Sequence, residues 1–410
     1  MNTPKIRFKG FKDAWEQRKL GEVSSKITKK NQDIVVDEVF TNSAEYGIIS
    51  QRDFFDKDIA NFENIDGYYI VEPNDFVYNP RISTTAPFGP IKRNKLERTG
   101  AMSPLYYVFR PHDIDLSYLE CFFQTSCWHT FMRFNGNTGA RSDRFAITDK
   151  VFDEMPISMP QDIEEQQKIG SYFSSLDNLI TLHQRKCDET KQLKKFMLQK
   201  MFPKNGEKNP EIRFEGFTDD WEQRKFGDYN DLMTGYPFES DKFSEDGIKL
   251  VRGMNVKRGY LDFSGDICVK WNSCVGLENF LLKDGDILIQ MDGALIGKSY
   301  AKIKENQLPA LLVQRVTRAR TNNKFASQDF MYQTIQRDFL RYIEMNKTET
   351  AVPHLSLNDI RNFEIMVPCL AEQKKIGEYF DSLDNLITLH QRKCEKLKEL
   401  KKFMLQNMFV

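Results

Sequence analysis

The chain repeats itself, and this repeat constrains its fold more than any other feature of the sequence. Residues 4–23 read PKIRFKGFKDAWEQRKLGEV, and residues 210–229 read PEIRFEGFTDDWEQRKFGDY. A longer segment over 164–202, EEQQKIGSYFSSLDNLITLHQRKCDETKQLKKFMLQKMF, recurs over 371–409 as AEQKKIGEYFDSLDNLITLHQRKCEKLKELKKFMLQNMF. Both pairs are separated by about half of the 410 residues. The chain is therefore predicted to be a tandem duplication.

The segments between the repeats, about 24–163 and 230–370, do not match each other in sequence but share coarse features. Each carries a strand-like run after an acidic turn, at 75–78 and 285–289, and each ends in an apolar run before a proline, at 152–160 and 363–368. These features predict two α/β domains of one fold with different surfaces, in a chain of α+β class.

The repeated segment that ends each half is predicted to be a long helix. Pro160 and Pro368 precede the two copies, acidic residues occupy the first turns, and Pro203 follows the first copy. At 1.5 Å per residue, each helix is roughly 55–60 Å long. Apolar residues recur every three or four positions, which is typical of a coiled-coil seam. The predicted seam residues are Ile169, Phe173, Leu176, Ile180, Ile376, Phe380, Leu383 and Ile387. An antiparallel helix pair between the two domains is the simplest arrangement.

The seam continues through His183 and Cys187 in the first copy and His390 and Cys394 in the second. Four such side chains facing one another are able to form a Cys₂His₂ zinc site. The alternative is that they are small seam residues inherited with the duplication. A long coiled coil does not need a structural metal, so no metal site is predicted.

The repeats also set four expected segments. The first domain covers 1–160 and includes the repeated segment 4–23; the first long helix covers 161–205. The second domain covers 206–367 and includes 210–229; the second long helix covers 368–410.

Composition places the chain among globular proteins of the cytoplasm. Hydrophobic residues make up 40% of the chain, enough for buried cores. No apolar run approaches the roughly 18 residues that span a bilayer, and the first residues lack the apolar core of a signal peptide. The seven cysteines are odd in number and form no C-x-x-C pair, which predicts reduced thiols.

Motifs for catalysis are incomplete. The segment Asp292–Ser299, DGALIGKS, resembles a phosphate-binding loop, but the first glycine of that loop is replaced by Asp292. The run Tyr78–Arg81, YNPR, lacks the second proline and the aromatic residue of the adenine methyltransferase loop, and there is no G-x-G turn for S-adenosylmethionine. The sequence therefore predicts a non-catalytic chain without a cofactor of its own.

Any DNA binding has to use local clusters of basic residues, because Lys+Arg and Asp+Glu are both 59. Arginine suits guanine and asparagine suits adenine in base-edge recognition, and lysine suits phosphates. The candidates are Arg81, Lys92, Arg93, Lys95, Asn137, Arg141 and Arg144 in the first domain and Arg252, Lys257, Arg258, Arg315, Arg318 and Arg320 in the second. For each of them an ordinary solvated surface charge is an equal alternative.

These features together resemble the specificity subunits of type I restriction–modification enzymes. The WEQRKLGEV and WEQRKFGDY segments and the two long helices are similar to that family's repeated regions, as are 285–297 (GDILIQMDGALIG) and 135–147 (NGNTGARSDRFAI). The resemblance implies two target-recognition domains that each read one half of a bipartite DNA site, while the helix pair sets the spacer between the halves. It further implies two modification subunits and restriction–translocase subunits as partners, which would carry S-adenosylmethionine, ATP and magnesium.

Two other classes remain open from the residues alone. Zero net charge is compatible with a coiled-coil adaptor whose two domains bind proteins instead of DNA. A duplicated enzyme is the third class, and the incomplete catalytic motifs weigh against it.

Overall fold

The structure, a computed structural model, describes residues 3–54, 62–138, 143–204, 206–293, 295–346 and 354–410. The chain forms two compact units. Unit 1 contains residues 1–183 and 392–410, and unit 2 contains residues 184–391. Each long helix begins in one unit and ends in the other. The four segments expected from the repeats are defined by sequence, whereas the two units are defined by packing. The boundaries of the four segments therefore stay a prediction.

Unit 1 is built from short strands in small sheets. Its strands are β1 (Glu16–Lys19), β2 (Ser24–Lys26), β3 (Val39–Ser43), β4 (Gly47–Ser50), β5 (Tyr69–Val71), β6 (Phe76–Tyr78), β7 (Ile91–Arg93), β8 (Gly100–Met102), β9 (Tyr107–Pro111), β10 (Asn137–Thr138), β11 (Phe145–Ala146) and β12 (Pro156–Met159). Its short helices are α1 (Leu20–Val23), α2 (Gln51–Phe54), α3 (Leu116–Phe122), α4 (His129–Asn135) and α5 (Asp149–Asp153). The two four-stranded sheets have the orders β2-β9-β6-β7 and β4-β3-β8-β5.

Unit 2 repeats this plan. Its strands are β13 (Glu222–Lys225), β14 (Asn230–Thr234), β15 (Ile248–Val251), β16 (Lys270–Trp271), β17 (Ile287–Gln290), β18 (Tyr300–Lys302), β19 (Ala310–Leu312), β20 (Val316–Thr321) and β21 (Glu364–Val367). Its short helices are α7 (Gln328–Thr334), α8 (Leu340–Asn346) and α9 (Leu357–Arg361), with a π-helical segment at Ile335–Phe339. The main sheets have the orders β14-β20-β17-β18 and β16-β15-β19.

The two units therefore share one topology in spite of their different sequences. Strands β6 and β17 occupy the same place, because Phe76 pairs with Phe109 as Ile287 pairs with Ala319. The predicted strands at 75–78 and 285–289 are confirmed as β6 and β17, and those before Pro160 and Pro368 as β12 and β21. The prediction of two α/β domains of one fold is thereby confirmed.

An internal ion pair marks the shared sheet in both units. Arg110 donates to the buried Asp75 at 2.7 and 3.0 Å, and Arg320 donates to the buried Asp286 at 2.7 and 2.6 Å. Each aspartate also accepts a backbone N–H three residues before it, at 2.8 Å. Bidentate, fully satisfied pairs of this kind stabilise a fixed geometry, so both sheets begin from the same anchor.

A tryptophan from each repeated N-terminal segment closes the core. Trp15 in unit 1 packs against Tyr118 and against Phe409 at the end of the second long helix. Trp221 in unit 2 packs against Phe330 and against Phe202 just beyond the first long helix. The ends of the long helices are therefore parts of the two cores, which explains why the sequence FMLQ-(K/N)-MF is repeated.

The same N-terminal segments also hold the beginnings of the long helices. Arg7 forms a bidentate pair with Glu165 at 2.6 and 2.7 Å, and Arg213 forms one with Glu372 at 2.7 and 2.8 Å. Both glutamate side chains have no exposed surface. A charge buried to this extent requires its partner, so these two pairs fix each repeated segment to a helix.

A glycine follows in each helix where another helix begins beside it. A Cβ added at Gly170 would lie 2.7 Å from the Ser117 Cβ, and one at Gly377 would lie 2.9 Å from the Asp329 Cβ. No real Cβ fits at those distances. The glycine of the repeated KIG sequence therefore permits the close approach of α3 in unit 1 and of α7 in unit 2.

The long helices are α6 (Ile163–Lys200) and α10 (Leu370–Met408), as predicted. They run antiparallel in both units. In unit 1 Lys401 donates to Asp177 at 2.5 Å, and in unit 2 Lys194 donates to Asp384 at 2.6 Å. Among the described residues, no helix has the length and apolar character to cross a membrane.

The predicted seam is more than a contact between helices. Ile169, Phe173 and Leu176 are buried in the core cluster of unit 1, together with Trp15 and Tyr118. Their counterparts in unit 2, namely Ile376, Phe380 and Leu383, join the core cluster around Trp221. Further along the helices, Ile180 and Ile387 are half-buried. A coiled-coil interpretation therefore describes the middle of the helices, whereas their first turns belong to the domain cores.

Candidate nucleic-acid interface

A short antiparallel contact follows the central strand of the main sheet in each unit. In unit 1 the Phe145 N–H donates to the Pro80 carbonyl at 2.8 Å, and Arg81 faces Arg144. In unit 2 the Leu355 N–H donates to the Met291 carbonyl at 2.8 Å, and Asp292 faces His354. We call these contacts the loop edges: 79–82 with 143–145 in unit 1, and 290–292 with 354–355 in unit 2. They are at equivalent positions of one fold.

The loop edge of unit 1 is charged and exposed. The Arg81 side chain is 69% exposed and lies 3.6 Å from the Asp143 carboxylate, while Arg144 is half-buried. The exposed Asn137 lies on β10, which pairs with β11 just beyond this edge. The structure thus brings the predicted Arg81, Asn137 and Arg144 to one region. The predicted Arg141 lies outside the described residues.

This edge borders a cleft of about 780 Å³ within unit 1. Its lining includes Tyr78, Tyr106, Tyr107, Phe134, Asn137 and Arg144. The inner rings are fixed: Tyr78 stacks on Phe152 at 4.8 Å, and the Tyr107 hydroxyl donates to Asp153. Burial raises the pKa of Tyr78 above its usual value, so this phenol stays neutral. A rigid aromatic floor below a charged rim can support contacts to the apolar and the polar parts of a ligand at once.

The other basic candidates of unit 1 lie elsewhere. Lys95 pairs with Glu120 on α3 at 2.5 Å, and Arg93 lies 3.8 Å from the same carboxylate. Lys92 is half-buried, and burial lowers the pKa of its ammonium group. Strand β7 runs antiparallel to β6, so these residues lie toward the end opposite Arg81. The structure therefore does not unite the basic residues 92–95 with the loop edge.

In unit 2 an arginine again lies at the loop edge. Arg315, in the turn before β20, is 57% exposed and lies 3.4 Å from the Asp292 carboxylate. Its φ is +70°, in the left-handed region that a residue other than glycine adopts rarely. The exposed Arg258 and the half-buried Lys257 lie beside β18, where the Tyr300 N–H donates to the Lys257 carbonyl at 3.2 Å.

Three of the predicted DNA-binding arginines have structural partners inside unit 2. Arg318 is buried on β20 beside Asp231, and burial lowers its pKa. Arg320 is the internal partner of Asp286, and this hydrogen bond raises its pKa. Arg252 donates to the Ile267 carbonyl at 3.0 Å and lies over the Phe243 ring. These contacts lie within unit 2, and DNA binding by the three side chains stays a prediction.

Two acidic residues and a histidine at the loop edges were missed by the sequence analysis. The predicted DNA-binding residues were basic residues and one asparagine, so Asp143, Asp292 and His354 were not among them. The strand pattern could have found Asp292, because it follows the start of β17 at the same offset at which Arg81 follows the start of β6. Asp143 and His354 reach the loop edges from distant parts of the sequence, so no local signal indicates them.

The residues weighed for phosphate and metal binding have other surroundings. The described part of the segment 292–299 is the turn between β17 and β18. The Cys187 thiol lies 3.9 Å from the Ile387 carbonyl within unit 2. No three metal-ligating side chains come together in the part of the chain that the structure describes.

Two copies of one α/β unit, each with a charged loop edge, define a duplicated recognition scaffold. A family model described as the type I restriction modification DNA specificity domain matches residues 12–192 and again residues 218–399. The chain belongs to this family, as the sequence analysis predicted.

Relatives of this family share part of the sequence. The type I restriction enzyme MjaVIII specificity subunit of Methanocaldococcus jannaschii is 26% identical over 263 residues, which are 62% of this chain and 61% of that protein. The EcoAI specificity subunit of Escherichia coli is 28% identical over 181 residues, 43% of this chain and 29% of that protein. The matches thus span less than two thirds of these relatives.

One solved structure shares the fold over the full length. The crystal structure of a type I restriction–modification system S subunit from M. genitalium is similar with a TM-score of 0.66, covering 100% of this chain and 99% of that one. At 13% identity this likeness establishes the fold alone.

Proposed function

We propose that this chain is the DNA-specificity subunit of a type I restriction–modification complex and that units 1 and 2 each read one half of a bipartite site. The observation that carries the proposal is the pair of units with one topology and different loop edges. A shared frame holds both edges in the same geometry, and different side chains then select different bases.

The helices carry two matching apolar patches, which favours two identical partners. In unit 1 the patch consists of Leu179, Leu400 and Phe403; in unit 2 it consists of the repeat equivalents Leu386, Leu193 and Phe196. Each of these side chains is more than 40% exposed. Exposed apolar patches on a stable fold mark protein interfaces. We propose that each patch binds one modification subunit and that restriction–translocase subunits join the same complex.

In this proposal the chain does no chemistry. Methyl transfer from S-adenosylmethionine and the ATP- and magnesium-dependent steps belong to the partner subunits, and the complex acts in the cytoplasm. Contacts from those partners to DNA phosphates would offset the zero net charge of this chain.

Exchange of one variable segment tests the proposal. We expect that replacing residues 24–163 by the equivalent segment of a relative changes one half of the recognised site and preserves the other. Methylome sequencing of cells that carry the complete system measures both halves at once. A change in both halves, or in neither, would contradict the division of labour.

The helix pair is proposed to set the spacer between the halves. Four residues inserted after Thr190 add about 6 Å to α6 and rotate the downstream chain by about 40° beyond one turn. We expect the preferred spacer to grow by one or two base pairs, since each occupies about 3.4 Å. An unchanged spacer with altered half-sites would refute this role of the helices.

Salt dependence separates this function from that of a protein-binding adaptor. The affinity of the complete complex for DNA should fall steeply and linearly with the logarithm of salt concentration, because phosphate contacts release counterions. A complex whose association with DNA does not depend on this chain, at any salt concentration, would favour the adaptor.

A further inference from the structure

Each loop edge contains an exposed arginine beside a carboxylate, but the residues that form this ion pair are not equivalent in the two units. In unit 1 an exposed arginine at position 81 lies against Asp143, 3.6 Å away. In unit 2 the position equivalent to 81 is Asp292, and the arginine that lies against it, at 3.4 Å, is Arg315. Arg315 lies four residues before Ala319 of β20. The equivalent position in unit 1, four residues before Phe109, is Leu105.

Both units have an arginine–carboxylate ion pair at the loop edge although the positions of its residues differ. A requirement of the fold does not readily explain this. The shared fold is already fixed at the other end of the sheet by the Asp75–Arg110 and Asp286–Arg320 pairs. Those aspartates are buried, and they occupy equivalent positions. The arginines of the loop edges are instead 69% and 57% exposed, so surface ion pairing alone adds little stability.

The backbone of Arg315 provides a second observation. Its left-handed φ of +70° is one that glycine adopts without strain and arginine does not. The turn would therefore accept glycine more readily, and strained residues of this kind are concentrated at functional sites. The conformation of the turn therefore does not explain why this residue is arginine; a role of the side chain does.

We propose that Arg81 and Arg315 are the guanine-reading residues of the two units. Each guanidinium would donate two hydrogen bonds to O6 and N7 of one guanine in the major groove, and Asp143 or Asp292 would orient it. Arg81 follows the end of β6, whereas Arg315 precedes the start of β20. The guanine therefore occupies a different place in each half-site. This inference rests on the proposed function and specifies the residues through which each unit works.

Substitution in unit 1 tests the first assignment. Arg81→Lys keeps the positive charge and removes the planar pair of donors. In the complete methylating complex we expect discrimination against other bases at one guanine of one half-site to fall roughly 10- to 100-fold, with the other half-site unchanged. The matched control is Arg98→Lys, since Arg98 also pairs with a carboxylate, Glu38 at 2.8 Å, but lies at the opposite end of the sheet.

Substitution in unit 2 separates recognition from stability. Arg315→Gly relieves the strained turn, so the midpoint of thermal unfolding should stay the same or rise. Discrimination at one guanine of the other half-site should nevertheless fall by a similar factor. The control is Lys208→Ala, which removes one positive charge from an exposed ion pair with Asp220, 3.3 Å away, in the same unit.

Each outcome of these two substitutions either supports or overturns the assignment of Arg81 and Arg315. Relaxed recognition at a single guanine in one half-site for each variant supports it. Weaker binding to all sequences, with a shallower salt dependence, would identify phosphate contacts and overturn it. Unchanged half-sites in both variants would also overturn it while leaving the proposed function intact. Site-specific methylation that does not depend on this chain at all would refute the proposed function itself.

Discussion

Units 1 and 2 agree where side chains are buried and differ where they are exposed. Both begin the central strand of the main sheet with a buried aspartate that an arginine of the neighbouring strand binds in bidentate fashion. Just beyond the end of that strand, at the equivalent position, unit 1 has the exposed Arg81 and unit 2 has Asp292. A few buried positions therefore maintain one topology, so that the exposed edge is free to change its charge.

The largest effect is expected from the buried glutamates. Arg7→Ala leaves Glu165 without its partner in unit 1, and Arg213→Ala does the same to Glu372 in unit 2. Each substitution should lower the stability of its unit by about 3–5 kcal/mol, since an unpaired charge stays buried. Segment-resolved hydrogen exchange measures the two units separately. Losses that differ by more than about 2 kcal/mol would show that the repeated segments are not equivalent anchors.

The glycine contacts should give the next largest effect. Gly170→Ala and Gly377→Ala introduce a Cβ that is too close to the neighbouring helix in each unit. We expect a loss of about 2 kcal/mol from overpacking, in spite of the better helix propensity of alanine. The nearest atom is closer in unit 1, at 2.7 Å against 2.9 Å, so Gly170→Ala should cost more in chemical denaturation. A gain in stability from either alanine would contradict the close approach.

The lysines between the helices should show a difference between the units. Lys194 in unit 2 donates to both Asp384 and Gln336, whereas Lys401 in unit 1 donates to Asp177. We expect Lys194→Met to destabilise its unit by about 2 kcal/mol and Lys401→Met by about 1 kcal/mol. Equal values from denaturant titration would show that the second acceptor contributes nothing.

The smallest effect is expected from pH and should be confined to unit 1. Burial, and then the nearby charge of Arg133, lowers the pKa of His129 below 6.5. The folded state thus binds this proton less readily than the unfolded state, so stability falls as pH decreases from 6.5 through the lowered pKa. We expect a small loss of stability, and only in unit 1. His129→Asn should remove that loss when the variant and the parent are compared by hydrogen exchange at one pH above 6.5 and one below it. Persistence of the loss in the variant would exclude His129 as the cause.

The sequence was sufficient for the duplication, the long helices and the strands beside Pro160 and Pro368, because repeats and apolar periodicity are local signals. It was insufficient for the assignment of individual arginines. Arg318 and Arg320 occupy the same short run as Arg315, yet Arg318 is itself buried beside Asp231 and Arg320 pairs with the buried Asp286, whereas Arg315 is largely exposed. Alternation along β20 and the ladder to its neighbours decide this difference, and neither depends on charge type.

The helix seam shows the same limit in another form. A heptad pattern indicates that a face is buried but does not identify what covers it. Phe173 was predicted as a residue of the helix seam, and its ring contacts Tyr172 and Phe409 within the core of unit 1. Phe409 is far away in sequence from Phe173, so no local pattern could have identified this contact.

The division of α10 has a consequence for biosynthesis. Unit 2 is one uninterrupted stretch of chain, residues 184–391, whereas unit 1 needs residues 392–410 to complete the core around Trp15. All of unit 2 is synthesised before Phe409 is added to the chain. The domain that is translated first is therefore completed last, and its apolar surface needs protection from aggregation until elongation has passed the final turn of the helix.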